Sequence, residues 1–530
     1  MIKKTVKKIL GINDNFIRSE CKEDNYSIAL RELIKNDQSL VSKRATAGRR
    51  PDGKEFYYDV KKISEAFNFF NNDVFEFSDD KIPNIGEYDN LHSGTPMRVK
   101  PYKDCLKALN YLKFDKSLYC YPATVGGMRD RQAFVDYLIR EGFNYKSNDN
   151  YDGIGIDNIV YTCSTTQAFS LILKLLVRPE DVVIVTGPNY GLFALEPERC
   201  NARIKVLNLE ESEGFLVNGD KLAKLIDDTN KELKEEFEGK LSYIPKVAAF
   251  LNMNPHNPLG TVMSSKDIEL VSSIGDTCLD RGVFVIDDLI YRDLCFDRGN
   301  LALPMASIEK YFNNTISLFG LSKAFGLASF RTGVIVAPTP IAKGLANLIF
   351  QEMDSTPVLQ VKTLSAAFNG KDSRYRKVER YFDPVLEEYK YRYNLLISLV
   401  DGIDNIKDNK YKNRILKDIN KYYSKEEADE LIKGIPNVSI RKGVDPISGF
   451  FTVVDFTELK GKGKENKINT EFDLLKYFYV KTKLRYIMGV SMSWPYEDEM
   501  VGRVSFSLEV NSIISNFYKM NKAVRELLDE

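Results

Sequence analysis

Lys323 and Arg331 stand eight positions apart in the run Gly320-Leu-Ser-Lys-Ala-Phe-Gly-Leu-Ala-Ser-Phe-Arg-Thr-Gly333. A lysine amine condenses with an aldehyde, and an arginine presents a planar fork to a phosphate. The pair suits a Schiff base from Lys323 to pyridoxal 5'-phosphate (PLP), with Arg331 on the phosphate. Such a cofactor carries the hard chemistry, and the protein supplies orientation and charge.

Five further segments fit the same chemistry. The run Val283-Phe-Val-Ile-Asp-Asp-Leu-Ile-Tyr291 ends on two carboxylates, with Tyr291 three residues past Asp288. PLP needs a carboxylate against its pyridine nitrogen to keep the ring protonated, and a phenol or amide beside its ring oxygen. The D-x-x-Y spacing favours Asp288 over Asp287 for the first role and Tyr291 for the second. Alone, the segment reads as a strand ending in a capped turn. In Asn252-Met-Asn-Pro-His-Asn-Pro-Leu-Gly260, two Asn-Pro pairs and a glycine make a tight turn able to hold the Asn257 amide against the same ring oxygen.

Tyr161-Thr-Cys-Ser-Thr-Thr-Gln-Ala168 places Ser164, Thr165 and Thr166 between a strand and a helix. Free amides and the helix dipole meet a phosphate at such a place, although the same residues also serve as plain helix caps. Gly187-Pro-Asn-Tyr190 sets Tyr190 just after a strand, where it could stack on a pyridine face or simply join the core. Arg503, in Val501-Gly-Arg-Val-Ser-Phe-Ser507, sits among apolar residues. It calls for a carboxylate, from an amino-acid substrate or from an internal salt bridge.

Positioning these residues requires strands that end beside one another. Short apolar runs at Asn158–Thr162, Asp181–Thr186, Lys246–Leu251, Val283–Ile286, Thr315–Phe319 and Gly333–Ala337 read as strands. Helical patterns such as Thr166–Val177 and Ser265–Asp280 lie between several of them, which signals a parallel α/β sheet. The chemistry-bearing residues fall just past strand ends, where open α/β sheets bind ligands. Beyond about Ile349 the chain turns helical and charged. Lys410–Gly434 reads as a charged surface helix or insertion, and Leu459–Asn469 as a flexible loop.

The 530 residues suffice for two or three domains. Lys+Arg and Asp+Glu both total 75, so no overall field favours nucleic acid or an anionic membrane. No apolar run approaches the ~20 residues of a membrane span, and the basic start Met1–Leu10 lacks the features of a secretory signal. Seven scattered cysteines imply reduced thiols and a cytoplasmic location. Two histidines, His92 and His256, do not suggest a metal site, and none is expected. The basic stretch Lys43–Lys54 motivates one remote reading, a regulator that binds PLP and has a nucleic-acid module at its N-terminus. No helix-turn-helix pattern accompanies the stretch, and no nucleic-acid partner is expected.

Taken together, these segments resemble the class I/II aminotransferases of PLP fold type I, aspartate aminotransferase-like, over roughly Leu91 to Leu508. The resemblance implies an α/β architecture. A large domain has a mixed, mostly parallel sheet flanked by helices, and a smaller α+β domain follows at the C-terminus. The implied division is 1–118 for an N-terminal extension and part of the small domain, 119–375 for the large domain and 376–530 for the small one. By the same resemblance Lys323, Asp288 and Tyr291 are catalytic. Ser164, Thr165, Thr166, Tyr190, Asn257, Ser322 and Arg331 hold the cofactor. Arg503, Asn257 and Gly94 (with Thr95 beside it) hold the substrate, with Arg503 on its α-carboxylate.

Tyr119-Cys-Tyr-Pro-Ala-Thr-Val-Gly-Gly127 resembles the family segment whose tyrosine reaches the phosphate of the other subunit, with Tyr121 favoured over Tyr119. A homodimer with shared sites is therefore implied. The chain departs from the family at Gly320, often a serine, and in a Ser-Thr-Thr phosphate loop where a glycine is common. The implied reaction moves an amino group between an α-amino acid and a 2-oxo acid. A lyase or decarboxylase, such as an aspartate 4-decarboxylase-like enzyme, is the alternative on the same scaffold. Trp494 and Tyr496 are further candidates to line the substrate pocket.

Overall fold

The computed structural model describes residues 58–71, 90–96, 101–144, 153–368 and 372–530. The basic stretch at 43–54 lies outside the described residues. Seven strands form the large sheet: β1 (Ile159–Thr162), β2 (Val182–Gly187), β3 (Arg203–Asn208), β4 (Val247–Met253), β5 (Phe284–Asp288), β6 (Thr315–Gly320) and β7 (Gly333–Val336). Their order is β1-β7-β6-β5-β4-β2-β3. Every pairing from β6 through β3 is parallel, and β7 alone runs against its neighbours β1 and β6.

Strands β2 and β4 are buried at every residue, as strands covered on both faces must be. The alternation of strand side chains sorts them into two apolar layers. Val183, Val185 and Ile286 join one layer with the helices Thr165–Leu176 and Thr339–Met353. Val182, Ile184 and Val285 join the other with Gly219–Phe237 and Ile268–Asp280.

A second sheet contains β8 (Ser439–Ile440), β9 (Phe451–Asp455), β10 (Ile487–Met488) and β11 (Val501–Ser505). Its order is β10-β11-β9-β8 and all its pairings are antiparallel. Glu471–Thr482, Val510–Asp529 and the long helix Asp372–Val400 accompany it. The architecture is the expected one: a mixed, mostly parallel sheet between helices, with a smaller α+β unit beside it.

Several sequence expectations need correction. Strand β3 was not among the expected strands; it is an edge strand with only Ile204 and Leu207 buried, so its apolar signal is diluted. The helix expected from Ser265 begins at Ile268, after a single 3-10 turn at Ser265–Asp267. Lys410–Gly434 holds two helices, Asn409–Tyr422 and Lys425–Leu431, which bury Ile415, Ile419, Ala428 and Leu431. The loop over 459–469 is anchored rather than free. Ile468 is buried, and it exchanges backbone hydrogen bonds with Gly461 and Lys462.

Candidate active site

The carboxyl ends of β1, β2, β4, β5 and β6 share one edge of the large sheet, and the antiparallel β7 brings its amino end to that edge too. The loops there and the small sheet enclose a cavity of about 290 Å³. Its wall includes Thr165 and Thr166 after β1, Tyr190 after β2, Asn257 after β4, and Asp288 and Tyr291 at and beyond the end of β5. Ser322 and Lys323 follow β6, Arg331 precedes β7, and Arg503 comes from β11. Gly94 closes one side. The structure thus gathers these ten sequence-selected residues, together with Gly94, in one crevice.

Lys323 Nζ donates to the Gly94 carbonyl at 2.6 Å. A Cβ on Gly94 would stand 3.4 Å from that nitrogen, so the segment lies close over the lysine. Arg503 donates from Nη1 to Asn257 Oδ1 and from Nη2 to the His92 carbonyl, both at 3.2 Å, and its guanidinium stacks on Phe451 at 4.1 Å. Its buried Nε has no hydrogen-bond partner among the described residues. Arg331 has a left-handed backbone (φ 49°) and donates to the Ala328 carbonyl. No carboxylate pairs with Lys323, Arg331 or Arg503 among the described residues.

Strand parity decides between the two aspartates. Asp288 faces the crevice and accepts from the Ile290 amide at 3.1 Å. Asp287 points to the other face, where Asn252 Nδ2 and the Met305 amide each donate to it at 2.9 Å. Burial raises the Asp288 carboxyl from its ordinary 3.8 to about 7; the Ile290 amide opposes this, Asp287 adds to it and Lys323 opposes it. Burial also pulls the Lys323 amine from its ordinary 10.5 down to about 8, with Arg503 and Arg331 adding and Asp288 opposing. Burial likewise raises the Tyr291 phenol.

Ser164 is not part of the wall. Its hydroxyl accepts from the Gln167 amide at 3.3 Å and caps the helix Thr165–Leu176. Its backbone, at φ 112° and ψ 161°, lies in a region otherwise left to glycine. Gly320, where the family often has serine, leaves no room for a Cβ, which would stand 2.7 Å from Ile290 Cδ1 and 3.1 Å from the Thr332 carbonyl. Tyr121 is 90% exposed and outside the crevice of this chain. Trp494 and Tyr496 line a different cleft, of about 600 Å³, so their expected place in the substrate pocket is corrected. There Trp494 Nε1 donates to Glu499 and the Tyr496 hydroxyl accepts from the Glu211 amide. Sequence reasoning missed Phe67, His92, Phe451 and Ile487 on the crevice wall. The segment around Gly94 pointed near His92; the other three carried no local signal.

The donor set fits PLP. The crevice has an amine of lowered basicity, a buried carboxyl without a cation bonded to it, and a helix N-terminus flanked by Thr166, Ser322 and Arg331. Fold and site therefore define a PLP-binding enzyme of the α/β kind. The model of the family "Aminotransferase class I and II" matches residues 131–410. The chain is 27% identical over 319 residues to a probable N-acetyl-LL-diaminopimelate aminotransferase of Bacillus subtilis (strain 168), covering 60% of this chain and 71% of that one. It is 29% identical over 216 residues to the cystathionine beta-lyase PatB of the same organism, covering 40% of this chain and 51% of the other. The solved aspartate aminotransferase from Thermus thermophilus with maleate superposes with a TM-score of 0.62 at 14% identity, over 86% of this chain and 96% of that one. The chain belongs to the class I and II aminotransferases, a PLP-dependent family.

Ser164→Gly is expected to stabilise the fold by about 1 kcal/mol, because relief of backbone strain outweighs a cap that glycine largely replaces; thermal melting checks this. In the cofactor-free protein, Lys323→Met is expected to gain roughly 3 kcal/mol below pH 8, the cost of the depressed lysine. The folded protein releases the lysine proton near 8 and the unfolded chain near 10.5, so wild type recovers this loss as pH rises between those values. Denaturant titrations of both proteins at pH 7 and 10 measure the difference.

Proposed function

We propose that the crevice residues carry out PLP-dependent transfer of an amino group between an α-amino acid and a 2-oxo acid. The observation that supports this most is the charge set of the wall, where Lys323, Arg331 and Arg503 face the single carboxyl of Asp288. This cationic excess calls for anionic ligands, and a cofactor phosphate and a substrate α-carboxylate provide them.

Bound PLP supplies an aldehyde that captures amines and a protonated ring that takes up the electron pair left at Cα. Arg331, Thr165, Thr166 and Ser322 hold the phosphate at the helix N-terminus, and Ser164 shapes the loop beneath it. Tyr190, on the same wall, would lie against the ring face. Asp288 holds the proton on the ring nitrogen, and a cation there reverses the burial penalty on its carboxyl. Tyr291 and Asn257 hold the ring oxygen. Arg503, braced by Asn257 and the His92 carbonyl, takes the α-carboxylate and orients the Cα–H bond. Gly94 lies over the substrate and leaves its carbonyl to Lys323. Lys323 Nζ, with its lowered basicity, would be the base that accepts the Cα proton and the acid that gives it back.

The likeness to a cystathionine beta-lyase favours a second reading, elimination or decarboxylation on the same site. Purified protein loaded with PLP should turn yellow, and a single suitable amino acid should bleach that colour while one equivalent of 2-oxo acid forms. Lys323→Ala should lower the rate of bleaching by roughly 10²–10⁴-fold. Sustained release of ammonia or carbon dioxide without bleaching would decide for the lyase reading. No yellow colour in wild type would remove both.

We further propose a cytoplasmic homodimer that shares its sites. Phe114, Tyr119, Tyr121 and Met128 are all at least 66% exposed, an unusual density of large apolar groups for a free surface. The helices Lys103–Leu112 and Val358–Phe368, which pack on each other, expose Leu106, Tyr111 and Leu359 beside them. In that dimer Tyr121 reaches the neighbour's phosphate, a reading that its 90% exposure in this chain supports. No helix among the described residues is long and apolar enough to cross a membrane, and the six described cysteines are free thiols. Sedimentation should give a dimer for wild type, and a Phe114→Asp, Tyr119→Asp variant should dissociate with weakened retention of PLP.

A further inference from the structure

The helix Tyr58–Asn71 precedes the family-matched residues 131–410. Its apolar residues Ile63, Ala66, Phe67 and Phe70 recur at the spacing of one helical face. Ile63, Ala66 and Phe70 are buried, whereas Lys61 and Glu65 on the opposite side are exposed. The helix packs on Leu192–Arg199 and on the turn Val490–Met492.

Two contacts carry it into the crevice. Phe67 forms part of the wall beside Tyr190 and Phe193. A Cβ on Gly191 would stand 2.6 Å from Phe67 Cε2, so the glycine makes room for the ring. Phe70 meets the His92 ring edge-on at 5.3 Å, and the His92 carbonyl in turn receives Arg503 Nη2. The helix therefore both lines the cavity and backs the segment that positions the carboxylate-binding arginine.

Near Arg503 the wall combines the polar Asn257, His92, Tyr190 and Tyr291 with apolar side chains. Phe451 lies under its guanidinium, and Ile487 is its partner in register on β10. The charged residues of the wall are Lys323, Asp288, Arg331 and Arg503. Each already has a task in amino transfer, whether on the cofactor or on the α-carboxylate. His92 stays neutral, because burial, with Arg485 and Arg503 adding, pulls its imidazole down to about 3. Among the described residues that this chain gives the wall, no cation is left for a side-chain carboxylate and no acid for a side-chain cation.

We infer that Phe67, with Phe451 and Ile487, is a specificity-determining residue that selects amino acids with apolar or aromatic side chains over dicarboxylic and basic ones. The inference rests on the aminotransferase reading above. An apolar wall gains from removing an apolar side chain from water, and it leaves a charged side chain desolvated without a partner.

The test is single-turnover bleaching of the PLP-loaded protein by phenylalanine, leucine, aspartate, glutamate and arginine, each alone. Phenylalanine and leucine should react with the highest kcat/KM. Phe67→Ala should lower the phenylalanine-to-aspartate ratio by about tenfold, mainly through KM, and Phe67→Leu should recover most of it. Yellow absorbance equal to wild type shows that each variant still folds and binds PLP. Should the alanine variant not fold, the ratio in Phe67→Leu decides alone, with a two- to threefold fall expected and no change counting against the proposal. A wild-type preference for aspartate, glutamate or arginine overturns the inference, as does an unchanged ratio in a Phe67→Ala protein that binds PLP. A yellow protein bleached by none of the amino acids overturns the aminotransferase reading instead.

Discussion

Three cations gathered around one carboxyl in a buried crevice form the constraint on which the rest of the structure depends. Lys323 and Arg331 come from one loop and Arg503 from the small sheet, and burial works against the charged forms of Lys323 and Arg503. In water these groups would repel one another weakly through a solvent screen. In the crevice burial, and after it repulsion from Arg503 and Arg331, makes Lys323 lose its proton more easily. Near neutral pH such an amine is unprotonated more of the time than an ordinary lysine, which is the property the proposed proton transfer needs. A fold that holds such a set must be stiff, and it must supply neutralising anions through its ligands.

Stiffness comes from the large sheet. Its central strands are buried on both faces, and the residues just past their ends inherit fixed positions from the hydrogen-bonded ladder. The reversal of β7 matters here. It lets the loop from Lys323 to Arg331 leave and rejoin the sheet at the same edge, so both cations face one cavity. Close packing at Gly320 and Gly333 draws β6, β7 and the start of the helix Thr165–Leu176 together. At Gly333 a Cβ would stand 2.7 Å from the Ser164 carbonyl carbon. Ser164 takes a glycine-like backbone at the same place, a local strain of the kind that ligand sites retain.

The small sheet contributes what the large one cannot, a cation facing the strand ends from the opposite side. Arg503 is held between Asn257 of the large unit and the His92 carbonyl, with Phe451 beneath it. Its three supports come from segments more than 150 residues apart. The helix Tyr58–Asn71 completes this arrangement, since Phe67 and Phe70 meet the wall and the His92 segment.

The sequence by itself determined the chemistry-bearing turns, because each is local. A lysine and an arginine eight apart, an Asn-Pro turn and hydroxyls ahead of a helix are short-range patterns whose residue types carry their own reasons. Apolar runs gave six of the seven large strands for the same reason, and the half-exposed edge strand β3 escaped because only Ile204 and Leu207 needed to be apolar. Tertiary structure alone decided the rest. It turned Asp287 away and Asp288 inward through strand parity, took Trp494 and Tyr496 to another cleft, and brought Phe67, Phe451 and Ile487 to the wall. Those outcomes depend on which elements meet across hundreds of residues. A buried phenylalanine reads the same in sequence whether it fills a core or lines a substrate, because the apolar burial that drives both is non-directional.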